Sequence, residues 1–150
     1  MPTRPRHSQI VSLIVILLGI YNRLHNKGIV HTGETGLYTQ RDPDTVRAMD
    51  CAFITHERWA QCGDDTFLTI APELVVEVLS PSNTWTEMQQ KLTEYFGVGA
   101  QIVWIVDPKR QEVLVFDSTD AYTRLSINDT LTCESILPGF SHPLTEIFGS

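Results

Sequence analysis

The stretch Pro72-Glu73-Leu74-Val75-Val76-Glu77-Val78-Leu79-Ser80-Pro81 constrains what this chain can fold into more than any other. Its aliphatic and β-branched residues occupy both alternating faces, and a proline closes each end. A short run with two apolar faces predicts a strand buried in the middle of a sheet. Glu77 interrupts it. A carboxylate in such a place is costly unless it is paired, protonated or bound to a metal. Two readings of Glu77 therefore stand side by side: a core glutamate ion-paired with an arginine, or a metal ligand held rigidly at the end of a central strand.

The segments around it predict a mixed α/β architecture. Residues 7 to about 26 read as a first helix, with Ser8 as N-cap and Gly28 at the residue past its C-cap. Arg4 and Arg6 precede the apolar run Ile10 to Ile20, as in a targeting segment, but Tyr21-Asn22-Arg23 follows in place of a small-residue cleavage site. The run is also shorter than the roughly 20 apolar residues that span a bilayer. A core helix packed across a sheet and covered on most sides is the expectation, with a membrane anchor as its competitor. Ile29 to Gln40 is extended and punctuated by Gly33 and Gly36, and Asp42-Pro43-Asp44 forms a turn. Val46 to Thr55 is a second strand, and it too carries a carboxylate in its middle, Asp50.

His56 to Thr69 predicts a loop or short helix, and Ser80-Pro81-Ser82-Asn83 a break that supplies helix caps. From Thr84 to Phe96, Trp85, Met88, Leu92, Tyr95 and Phe96 recur at spacings of three and four, which makes one apolar face of a helix. Lys91 borders that face. It can snorkel outward to water, or reach inward over the end of the preceding strand. Ile102 to Val106 and Glu112 to Asp117 pair as a hairpin; short extended pieces follow near 123–125 and 131–133, then a turn at Pro138-Gly139-Phe140 and a terminal helix from Leu144 to Phe148.

A length of 150 residues suits one domain, 1–150. The net charge of −7, with no run of lysines and arginines, excludes a strong non-specific hold on nucleic acid through overall charge. Cys51, Cys62 and Cys133 are odd in number and lack zinc-ligand spacing, so a reducing, cytoplasmic setting is expected. Two acids on neighbouring strands and a lysine on the next helix form a chemical set: hard divalent cations take carboxylate oxygens, and an ammonium group can neutralise charge on a phosphate.

Four motifs in this order and spacing resemble the Uma-two family of the PD-(D/E)XK restriction-endonuclease-like superfamily. They are Arg47-Ala48-Met49-Asp50-Cys51-Ala52-Phe53, Ala71 to Pro81, Lys91-Leu92-Thr93-Glu94-Tyr95 and Val103-Trp104-Ile105-Val106-Asp107-Pro108. The resemblance runs from His7 to Phe148 and includes Leu137-Pro138-Gly139-Phe140. It implies a restriction-endonuclease-like mixed central β-sheet flanked by helices, and an Mg2+- or Mn2+-dependent endonuclease acting on DNA phosphodiester bonds. By the resemblance Asp50 and Glu77 are metal ligands and catalytic residues. Lys91 is the catalytic lysine, moved to the helix from the position two residues after the acid, where Leu79 stands. Met49 replaces the family's proline before the aspartate. The family's usual hairpin and glutamate ahead of the histidine matched by His7 have no counterpart, so a shortened domain that forms a homodimer is expected. The competing expectations are a catalytically weak or inactive nuclease-like domain serving as a binding or interaction module, and a membrane-anchored protein; the resemblance favours no stable membrane association.

Overall fold

The computed structural model describes residues 4–149. Helix α1 spans Pro5–His25 and starts earlier than expected, because Pro5 takes the first helical position, where its fixed φ already suits the helix. Arg4, not Ser8, is therefore the N-cap, without a side-chain cap hydrogen bond. At the other end Asn26 adopts the left-handed conformation (φ 49°) and ends the helix. Gly28 is not part of that cap. It opens strand β1 (Gly28–Gln40), where a Cβ would lie 2.1 Å from the Ile54 carbonyl oxygen.

Strand β1 pairs antiparallel with β2 (Thr45–Thr55), with a bulge between Thr32 and Thr35. Gly33 supplies the positive φ (73°) that the bulge requires. A one-turn helix α2 (His56–Trp59) and a long loop lead to β3 (Leu74–Val78), which is buried at every residue. Helix α3 (Trp85–Gly97) follows; Thr84 is its N-cap, in a capping box with Glu87. This helix carries the chain over to β4 (Ile102–Asp107), which lies parallel to β3, as a crossover between neighbouring parallel strands must. Strands β5 (Glu112–Ser118) and β6 (Ala121–Leu125) complete a six-stranded mixed sheet in the order β1-β2-β3-β4-β5-β6. A separate ribbon of β7 (Thr130–Thr132) and β8 (Ser141–Pro143) and the short helix α4 (Thr145–Phe148) close the chain. Strand β8 was not anticipated; it is short and follows directly on the Pro138-Gly139-Phe140 turn.

The sheet has a core on each face. Ile10, Ile14, Leu18 and Tyr21 of α1 pack with α4 and with Phe53, Val76 and Trp104. On the other face Met88, Leu92 and Tyr95 of α3 cover Val75, Val103 and Ile105. Along β3, Leu74, Val76 and Val78 serve the first core and Val75 the second. By that alternation Glu77 shares the face of Val75 and lies under α3.

Two expectations about covering fail. Helix α1 is seated along one stripe only: Ile16, Ile20 and Leu24 are 53%, 56% and 78% exposed. A sheet face and α4 can underlie only one side of a helix, and among the described residues no element packs over the other. Trp85, the first residue of α3, is also half exposed, and its ring lies beside that of Phe116.

Candidate active site

The register of β2 and β3 brings the two acids together. Cys51 stands opposite Val76, and one further step puts Asp50 across from Glu77. Side chains directly opposed on antiparallel strands are close neighbours. The backbone N–H of Val78 donates to Asp50 Oδ2 at 2.8 Å. The first carboxylate is thus pinned to the residue after the second. Helix α1 adds a third group: His7 Nε2 lies 3.3 Å from the same Asp50 oxygen, while His7 Nδ1 is buried without a partner among the described residues.

Glu77 is 3% exposed, and among the described residues no arginine pairs with it. Lys91 Nζ stands 3.7 Å from Glu77 Oε1, and the Tyr95 hydroxyl donates to that same oxygen. Residues 91 and 95 are one helical turn apart and project from one face of α3. Lys91 therefore reaches inward rather than snorkelling away. Burial pushes the Glu77 carboxyl up to about 8, against the opposing pull of Lys91 and with the repulsion of Asp50 added. Burial and then the neighbouring Glu77 charge push the Tyr95 hydroxyl up as well, so it remains a proton donor.

A second polar network fixes α3 over these groups. Arg47 Nε and its terminal nitrogen donate to the two oxygens of Glu94 at 2.9 and 2.5 Å, and Thr39 Oγ1 adds a bond of 2.8 Å. The hydrogen bond from Arg47 holds the Glu94 carboxyl down at about 2. Helix α3 is so tied to β1 and β2 at a point one turn from Lys91.

Asp50, Glu77 and Lys91 line one open cleft of about 650 Å³. Among the described residues no hydrogen bond from a donor group takes up Asp50 Oδ1 or Glu77 Oε2; a hydrogen bond between the two carboxyl groups requires a shared proton. Asp50 Oδ1 and Glu77 Oε2 are thus the oxygens left without a protein donor, on two residues that line the cleft. No group of three or more histidine, cysteine or acidic side chains is arranged to enclose a metal among the described residues. Two carboxylates nonetheless fit Mg2+, which usually retains waters and takes one or two carboxylates together with phosphate oxygens.

The family model for Uma2, described as "Putative restriction endonuclease", matches residues 1–145. The chain belongs to the Uma2 family. A crystal structure titled as that of "a putative nuclease belonging to DUF820", from Anabaena variabilis, has the same fold. It aligns at a TM-score of 0.83 and 19% identity, over 99% of this chain and 82% of that one. No curated protein matches. The architecture is accordingly that of a nuclease fold, and the chain carries a nuclease-like domain of a family class that generally uses divalent metals.

In this Uma2 member all three residues singled out from the sequence meet in one cleft. Leu79, at the position two residues after the acid, lines a neighbouring cleft instead. Sequence reasoning missed two contributors. Tyr95 was assigned to the apolar stripe, although its place four residues after Lys91 marks the same helix face. His7 served only as a landmark; nothing local in the sequence predicts that it meets a residue 43 positions away.

Proposed function

We propose that this Uma2 chain is a divalent-metal-dependent endonuclease that hydrolyses DNA phosphodiester bonds. The observation that carries the reading is the meeting of Asp50 and Glu77 on adjoining strands, with the Lys91 ammonium 3.7 Å from Glu77. Asp50 Oδ1 and Glu77 Oε2 would hold Mg2+ or Mn2+. When bound, such an ion supplies Lewis acidity to a phosphate oxygen and lowers the pKa of its water. Val78, His7 and Tyr95 orient the two carboxylates by occupying their other oxygens. Lys91, partly exposed at the cleft, is placed to offset negative charge that builds on the phosphate. The three unbridged cysteines are compatible with a cytoplasmic setting.

Helix α1 is long and apolar enough to cross a membrane by length and composition. Its stripe from Ile10 to Tyr21 is nevertheless built into the core, which supports the absence of stable membrane association. The opposite, exposed stripe supports a homodimer.

Incubating the chain with supercoiled plasmid and Mn2+ tests the main reading. Nicked or linear product that requires metal and disappears in Asp50→Asn is expected; cleavage unchanged in that variant overturns the assignment. One observation favours a second reading, a module that binds without cutting: burial pushes the Glu77 carboxyl up to about 8, so at neutral pH it is mostly protonated. That reading predicts DNA binding with no cleavage near pH 7, even at saturating metal.

A further inference from the structure

A second cleft, of about 480 Å³, adjoins the one that holds the acids and shares Arg4, His7, Ser80 and Asn83 with it. Its charged lining is Arg4, Arg6, Lys109 and a single acid, Asp107. Asp107 is already engaged, since its Oδ1 accepts the backbone N–H groups of Lys109 and Arg110. Arg6 is anchored to Gln9 and to the Phe148 carbonyl oxygen, whereas neither Arg4 nor Lys109 has a side-chain ion pair among the described residues. The excess of cations is local, on a chain of net charge −7. The acid cleft, by contrast, sets Arg4, Arg47 and Lys91 against Glu34, Asp50 and Glu77, and Arg47 is committed to Glu94.

These linings divide the work of holding a polyanion. The acid cleft needs a cation before it favours a phosphate, while the neighbouring cleft favours one as it stands. The Ser80–Asn83 turn forms their common wall and is held by Asn83 Oδ1, which accepts from Ser80 N at 2.8 Å and Ser80 Oγ at 3.1 Å. We infer that the Arg4–Arg6–Lys109 cleft binds a second phosphate of the same DNA strand, flanking the one presented to Asp50 and Glu77. The inference rests on the nuclease reading. A phosphate contact of this kind sets the register of the strand and does not by itself read its bases.

The test is binding of a fluorescent oligonucleotide with Ca2+ replacing Mg2+, followed by anisotropy over a range of salt. The double variant Arg4→Gln/Lys109→Gln is compared with Lys27→Gln, which removes a charge beyond the far end of α1, about 30 Å away along a helix of that length. The expected result is a loss of affinity of about tenfold in the double variant and a shallower salt slope by about one unit or more, against little change in Lys27→Gln. Equal affinities and slopes in the two variants overturn the subsite, and if the unaltered chain still cuts plasmid with Mn2+, the nuclease reading survives alone. Binding weakened as expected in a chain that never cuts keeps the subsite and removes the hydrolase. An unaltered chain that binds no oligonucleotide removes both. Inorganic phosphate that displaces the oligonucleotide at an equal concentration marks a free-anion pocket and overturns the strand assignment.

Discussion

Val78 donates its backbone N–H to Asp50 Oδ2 across 2.8 Å, so the acid of one strand is fixed by the residue that follows the acid of the next. The two carboxyl groups are brought together by backbone pairing and not by any attraction between them. Sheet register thus imposes an unfavourable electrostatic contact in a buried place. A proton or a cation relieves it.

The proton gives the first prediction. The Glu77 carboxyl stands at about 8 in the folded chain against 4.5 as its ordinary value. Between these values the native state binds more protons than the unfolded one, so stability falls as pH rises from about 4.5 to about 8. A shift of this size corresponds to on the order of 3–5 kcal/mol. Glu77→Gln keeps an acceptor for Tyr95 and never ionises. Chemical denaturation without metal should show that variant to be more stable than the parent at pH 8, with the difference shrinking toward pH 5. A parent whose stability is flat over that range rules the account out.

The cation gives the second. Metal binds the deprotonated pair, so Mn2+ should raise the melting temperature most at pH 8, where the free chain is weakest. At a hundredfold excess over its Kd the gain is about 2.7 kcal/mol. Asp50→Asn should abolish it in calorimetry and in thermal melts alike. Equal Mn2+ affinity in parent and variant would sink the shared site.

Lys91 acts on both. It lies 3.7 Å from Glu77 and lowers its pKa. Lys91→Met keeps most of the apolar stem and removes the charge. Cleavage should be lost with little change in melting temperature at pH 5, where Glu77 is protonated. The pH at which Mn2+ begins to bind should move upward, a change that an ordinary surface lysine would not produce.

The strands carrying these groups were legible because burial writes itself into β3: apolar residues at every position except Glu77 leave few alternatives. Asp50 and Glu77 stood out for the same reason, as charges in apolar runs. The contact between α1 and Asp50 was not legible, since it depends on how a helix crosses a sheet and not on local pattern. The ends of α1 were misjudged because Ser8 and Gly28 are good caps in general, while Pro5 and Asn26 were better placed here. Tyr95 was hidden by its own ring, which fits an apolar stripe as well as a leucine does.

Glu94 offers a contrast in sign. The hydrogen bond from Arg47 holds it at about 2, below its ordinary 4.5, so its stabilising contribution is complete above about 4.5 and is lost as pH falls toward 2. Both partners retain some exposure, which reduces the effect. Glu94→Gln should cost about 1–2 kcal/mol at pH 7 and progressively less below pH 4.5, read by denaturant unfolding. Because Glu94 also ties α3 to β2, cleavage should fall in the same variant, through displacement of Lys91.

Ile16, Ile20 and Leu24 recur every four residues on the outer side of α1 and are more than half exposed. Spaced in this way they form one continuous stripe along the helix. Such stripes are seldom left in water, and a second copy of the same helix offers a matching surface about a two-fold axis. The proposed dimer therefore places two α1 helices against each other. Light scattering coupled to size exclusion should give twice the chain mass at tens of micromolar, and Ile20→Lys should return it to one chain. Thermal stability measured on dilute protein should hardly change in that variant, because Ile20 contributes little to the core beneath α1. A parent that stays monomeric at this concentration refutes the dimer, and a variant that remains dimeric moves the interface away from α1.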